Sequence, residues 1–105
     1  MRNMGIKALI SVISIIGAAH VAHADDVIKI GVNQPLTGVV AAAGTFVAEG
    51  AKIAAAEINE NGGVLGKKLE LVIEDNKSNP TEASNVTEKL IVRDKVPAIM
   101  GAWSS

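Results

Sequence analysis

Apolar residues recur along this chain with two different periods, and the places where one gives way to the other predict its elements. Val27-Ile28-Lys29-Ile30-Gly31-Val32 is short and β-branched, with Pro35 and Gly38 close behind it, which predicts a strand followed by a loop over residues 33–44. That loop carries Gln34, Pro35, Leu36, Thr37 and Gly38 ahead of a run of small residues, 39–43. From residue 45 to 61 the period lengthens to that of a helix. Val47, Ala51, Ala54 and Ile58 fall on one face, Phe46, Gly50 and Ile53 widen it, and Glu49, Lys52, Asn59 and Glu60 lie elsewhere. Asn61-Gly62-Gly63 closes the helix, because glycine accepts the left-handed conformation at a helix end.

The period then returns to two. Leu69, Leu71 and Ile73 face one way and Lys68, Glu70 and Glu74 the other, and a strand charged on one side belongs at a sheet edge. Asn79, Pro80 and Glu82 form a helix start: a capping side chain, a proline at the first helical position and an acid three residues after the cap. Ala83, Val86, Leu90 and Ile91 are the expected buried stripe, ending near Asp94-Lys95. Val96-Pro97-Ala98-Ile99-Met100, closed by Gly101, reads as a buried third strand. Strand, helix, strand, helix, strand implies right-handed crossovers and a parallel α/β sheet. With the second strand at an edge and the third one buried, the order 2-1-3 fits. The topological switch then lies between strands one and three, where Leu36, Thr37 and Gly38 are expected to meet Trp103, Ser104 and Ser105.

The first 24 residues stand outside this pattern. Arg2 and Lys7, an apolar run over residues 8–19, and Ala22-His23-Ala24 have the form of a secretory signal peptide cleaved after Ala24. The apolar run is too short for the roughly 20 residues of a membrane span. Arg2 and Lys7 leave with the leader, so 8 of the 10 basic residues remain against 11 acidic ones, a formal charge of −3. That balance argues against a nucleic-acid surface. Both histidines, His20 and His23, also lie in the leader, and the chain has no cysteine. Residues 25–105 therefore lack an imidazole base, a thiol and the usual zinc ligands. With Asp25 where a bacterial lipoprotein carries its lipidated cysteine, the mature protein is expected to be soluble in the periplasm, unanchored and without disulfides. These elements make an incomplete set, and the chain reads as the start of a longer protein.

Few motifs carry chemistry. Gly62-Gly63-Val64-Leu65-Gly66-Lys67-Lys68 has an asparagine at position 61 where a phosphate loop needs glycine, and it leads from helix into strand, so it is a turn. Glu74 and Asp75 read as a solvated strand end beside a helix cap, with a metal or phospho-acceptor site as the alternative. Ser104 and Ser105 have no histidine to activate them as nucleophiles. Ser105 suits the cap of a following helix, where its hydroxyl and the next backbone N–H groups would hold a carboxylate; capping alone is the plainer alternative. Trp103, the one tryptophan, reads equally as an apolar ligand wall or as core.

Taken together, Ile28-Lys29-Ile30-Gly31 with Pro35-Leu36-Thr37-Gly38, Gly50-Ala51-Lys52 through Glu57-Ile58-Asn59 to the Gly62–Lys68 turn, Glu74-Asp75-Asn76 with Asn79-Pro80, and Gly101-Ala102-Trp103-Ser104-Ser105 carry a resemblance. Over its whole mature length the chain resembles the N-terminal part of periplasmic solute-binding proteins of branched-chain amino acid ABC importers, of the leucine/isoleucine/valine-binding type. The resemblance implies two α/β lobes closing on a ligand, with residues 25–105 forming part of the first. It implies a non-catalytic protein, without metal or cofactor, that captures an amino acid or a related amide or aromatic acid and passes it to membrane permease subunits. Such a protein is expected to be a monomer at full length. By position Ser105, then Ser104, then Trp103 are the implied ligand contacts, with Thr37, Leu36 and Ala43 across from them. Members carry an aromatic residue where this chain has Ala43, which opens the pocket, and a disulfide at the positions of Ser78 and Ser104, so both of its halves are missing together. A ligand sensor of the same fold is the first alternative; a secreted hydrolase using Ser105, with its base elsewhere, is the second.

Overall fold

The computed structural model describes residues 27–103. The expected leader and its cleavage point, and the candidate residues Ser104 and Ser105, lie outside the described residues. The elements run β1 (Val27–Gln34), α1 (Ala41–Glu60), β2 (Lys68–Asp75), α2 (Pro80–Glu88), a π-helical turn (Lys89–Arg93) and β3 (Ala98–Gly101). The three strands pair in parallel and the order is β2-β1-β3. β1 runs beside β2 from Val27↔Lys68 to Gln34↔Asp75, and beside β3 from Ile30↔Ala98 to Asn33↔Gly101. The chain crosses the sheet one way through α1 and the other way through α2, so right-handed crossovers put the two helices on opposite faces.

Several expectations are corrected. α1 begins at Ala41, four residues earlier than residue 45, because Ala41-Ala42-Ala43 are strong helix formers and the helix absorbs them. Its buried face is Gly44, Ala48 and Ala55, with Ala51 and Asn59 half-buried in the same row. Ala54 and Ile58, expected inside, are exposed, as are Phe46 at 77% and Ile53 at 63%. The face is set by close approach: a Cβ on Gly44 would lie 2.0 Å from the Pro35 carbonyl oxygen, so glycine must face the β1–α1 loop there. Ile91 of the second expected stripe is also exposed, while Val86 and Leu90 are buried and Ala83 half-buried. β3 starts at Ala98, since Pro97 offers no N–H and the Val96 N–H bonds the Leu90 carbonyl at 3.1 Å. Ala98 and Met100 are exposed, so among the described residues β3 is the second edge of the sheet and not a buried strand.

The remaining local features follow from the residues. Asn79 caps α2 by accepting from the Thr81 and Glu82 N–H groups at 2.8 and 3.1 Å. Val64 and Lys67 exchange backbone hydrogen bonds of 2.7 and 2.9 Å around Leu65-Gly66, both at positive φ, which makes that segment a two-residue hairpin turn. The Asn59 amide both accepts from and donates to the Leu69 backbone, at 2.7 and 2.9 Å, and so fixes the end of α1 to the start of β2. Lys89 joins β2 to the π-helical turn by bonding Glu74 and Asp94, and these two contacts hold its ammonium above the ordinary 10.5.

Candidate functional site at the strand tips

The carboxyl ends of the three strands lie together at one end of the sheet, and polar side chains are buried there. Asn33 and Gln34, the last residues of β1, are 3% and 2% exposed, and Asn76, just past β2, is 3% exposed. Buried amides are costly unless they are bonded, and these are. Asn33 donates to the Ala83 carbonyl and the Thr87 hydroxyl, both at 3.0 Å, and its oxygen accepts from the Asn76 amide at 3.0 Å. The Asn76 N–H reaches the Gln34 carbonyl at 3.0 Å, and the Asn76 side-chain oxygen accepts the Ser78 N–H at 3.1 Å. Gln34 faces β3, and its Oε1 accepts the Trp103 N–H at 3.1 Å.

The β1–α1 loop is tied to the end of β2. The Asp75 carboxylate accepts from the Leu36 N–H (2.8 Å), the Thr37 N–H (3.2 Å), the Thr37 hydroxyl (2.6 Å) and the Lys77 N–H (2.7 Å). Burial works against its charge, but the Thr37 hydroxyl and the three N–H groups outweigh it, so the carboxyl titrates below the ordinary aspartate value of 3.8. Ser78 completes the tie: its hydroxyl donates to the Thr37 carbonyl at 2.7 Å and accepts the Val40 N–H at 3.3 Å. Lys77 and Ser78 both take left-handed backbone, at φ 57 and 56, a conformation side-chain-bearing residues seldom adopt.

A cavity of about 410 Å³ opens over these tips, walled by Pro35, Val39, Val40 and Ala102 with Trp103, and reaching Asn76 and Ser78. Trp103 is thus at a cavity wall, half-exposed. Leu36, Thr37 and Ala43 are not among its lining residues: the first two are turned to Asp75, and Ala43 is half-buried in the first turn of α1. Asp75, expected as a solvated strand end beside a helix cap, also organises the loop, and Glu74 pairs with Lys89 instead of joining it. Among the described residues no three His, Cys, Asp or Glu side chains converge as a metal site would require. The buried amides Asn33, Gln34 and Asn76 escaped the sequence reading. The one signal available was an Asn-Gln pair continuing an apolar β-branched run, where a loop would not need to bury it.

Comparison with known proteins agrees with this fold. The sequence profile of the family described as periplasmic binding protein matches residues 27–105. The Leu/Ile/Val-binding protein BraC3 of Rhizobium johnstonii is 41% identical over 87 residues, covering 83% of this chain and 23% of that protein. The crystal structure of the branched-chain amino acid transporter substrate-binding protein LivJ from Streptococcus pneumoniae, in complex with isoleucine, superposes with a TM-score of 0.71 at 46% identity, over 72% of this chain and 22% of that one. An ABC transporter solute-binding protein from Rhodopseudomonas palustris, in complex with 3,4-dihydroxy benzoic acid, gives 0.62 at 33% identity, over 70% of this chain and 20% of that one. The chain spans about a quarter of the length of the curated relatives it matches.

Proposed function

Since the chain belongs to the periplasmic binding protein family, we propose that it supplies the beginning of the first of two lobes in an exported, non-catalytic protein that captures a small carboxylate and hands it to an ABC permease. Residues 1–24 serve as the leader and residues 25–105 as part of the lobe. The reading is supported most by one observation: the parallel 2-1-3 sheet gathers its polar tips at a single end, with Trp103 held over the tip of β1. Ligands of open α/β sheets sit outside the carboxyl ends of the strands, at the switch in strand order, which here lies between β1 and β3.

In this reading Ser105 and the N–H groups around it hold the ligand carboxylate, Ser104 adjoins them, and Trp103 forms an apolar wall. Leu36 and Thr37 act one step back, as the loop anchored on Asp75. Ala43 leaves room near the start of α1 for a bulkier side chain on the ligand. The named ligands of the similar structures, isoleucine and 3,4-dihydroxy benzoic acid, share a carboxylate attached to an apolar body. That is the class proposed here. Titration calorimetry of the complete two-lobe protein with leucine, isoleucine, valine and 3,4-dihydroxybenzoate is expected to show saturable binding of at least one. No heat with any of them, and none with the other protein amino acids, would overturn the proposal.

A further inference from the structure

β1 and β3 stop pairing at Asn33↔Gly101, and two residues later the Trp103 N–H lies against the Gln34 side chain at the tip of β1. Gly101 permits the approach: a Cβ there would lie 2.0 Å from the Asn33 carbonyl oxygen and 3.0 Å from the Gln34 side-chain nitrogen. Beyond the last ladder pair, Asn33↔Gly101, the Trp103 N–H donates to the Gln34 Oε1 at 3.1 Å, 69 residues away in sequence. Gln34 is among the largest fully buried side chains, and its own carbonyl is fixed by the Asn76 N–H at 3.0 Å. A buried amide has few rotamers open to it once its oxygen is committed. It therefore behaves as one more rung of the sheet, built from a side chain.

We infer that Gln34 is a positioning residue for ligand binding, fixing through the Trp103 N–H the direction in which the chain leaves β3. The inference rests on the proposed ligand site and adds a residue that makes no ligand contact of its own. Because Gln34 holds the Trp103 backbone, its loss frees the direction of the chain there without emptying the core: methionine has a similar length and volume and lacks the amide oxygen and its N–H groups.

The test uses the complete protein, with leucine, isoleucine, valine and 3,4-dihydroxybenzoate as probes, and compares Gln34→Met with Val86→Ala, a core change in α2. Gln34→Met is expected to weaken binding about tenfold, the value of one hydrogen bond. It should also speed hydrogen exchange at the Trp103 N–H at least as much, with the Asn76 N–H unaffected. Val86→Ala is expected to lower the melting temperature and leave both affinity and Trp103 exchange as in the wild type. Wild-type affinity in Gln34→Met would overturn the inference while leaving the proposed function intact. If the wild type binds none of the probes and none of the other protein amino acids, the proposed function falls, and equal Trp103 exchange in the two proteins would then overturn the positioning role as well. Should Gln34→Met not fold, exchange in the wild type decides, and an unprotected Trp103 N–H is the overturning result.

Discussion

Asp75 accepts four hydrogen bonds, three of them from residues 36 and 37, and so fixes the loop that leads from β1 into α1. Its carboxyl is held below 3.8, so the contribution it makes to stability is present above the unfolded-state value and is lost as pH falls through the lower folded-state value. Asp75→Asn is expected to cost about 1 kcal/mol at neutral pH, the low end for bonds to a charged group at a solvent-facing site. It should also flatten the loss of stability below pH 3.8, measured as urea midpoints across an acid series. A parallel shift at every pH would show that the charge is not what matters. Gly101→Ala is expected to open the β1–β3 tip, because the new methyl would sit 2.0 Å from the Asn33 carbonyl oxygen; amide exchange at residues 101–103 reports it. None of this was legible in sequence. The partners of Asp75 and Gln34 are distant along the chain, and an acid at a strand end looks alike whether it faces water or caps a loop.

At the scale of elements, local chemistry was readable wherever it was local. The α2 start was visible because Asn79, Pro80 and Glu82 act within one turn, and the structure shows the Asn79 side chain bonding both N–H groups. Asn79→Ala is expected to cost about 1 kcal/mol, read as a lower denaturation midpoint with an unchanged slope. Leu90→Ala, at a side chain with no exposure, is expected to cost about 2–5 kcal/mol. An equal loss at exposed Ile91 would contradict the assigned stripe. The buried face of α1 was not readable. Eight of its 20 residues are alanine, which fits core and surface alike, so the pattern followed Phe46, Ile53 and Ile58 to the outer side. The face is decided by Gly44 and Ala48 meeting the loop and sheet, and close backbone approach leaves no periodic signature of large side chains.

For the molecule as a whole, the sheet order 2-1-3 follows from a half-charged second strand and an expected buried third one; the order is the observed one, although among the described residues β3 is exposed at Ala98 and Met100. The buried core of residues 27–103 is small: Val32, Ala48, Ala55, Val86 and Leu90 are its buried apolar side chains. Residues 25–105 alone are expected to melt broadly and to bind no ligand, since about 80 residues without disulfides bury too little surface for comfortable stability. A sharp calorimetric transition with micromolar binding would contradict that. The central claim is that a ligand carboxylate sits beyond the tips of β1 and β3, against residues 103–105, and a crystal structure of the complete protein with its bound ligand tests it most directly. The account predicts the carboxylate within hydrogen-bonding distance of the Ser105 hydroxyl and a neighbouring backbone N–H, with Trp103 beside the apolar part and Gln34 still bonded to the Trp103 N–H. A ligand bound elsewhere, with no contact to residues 103–105, would contradict it.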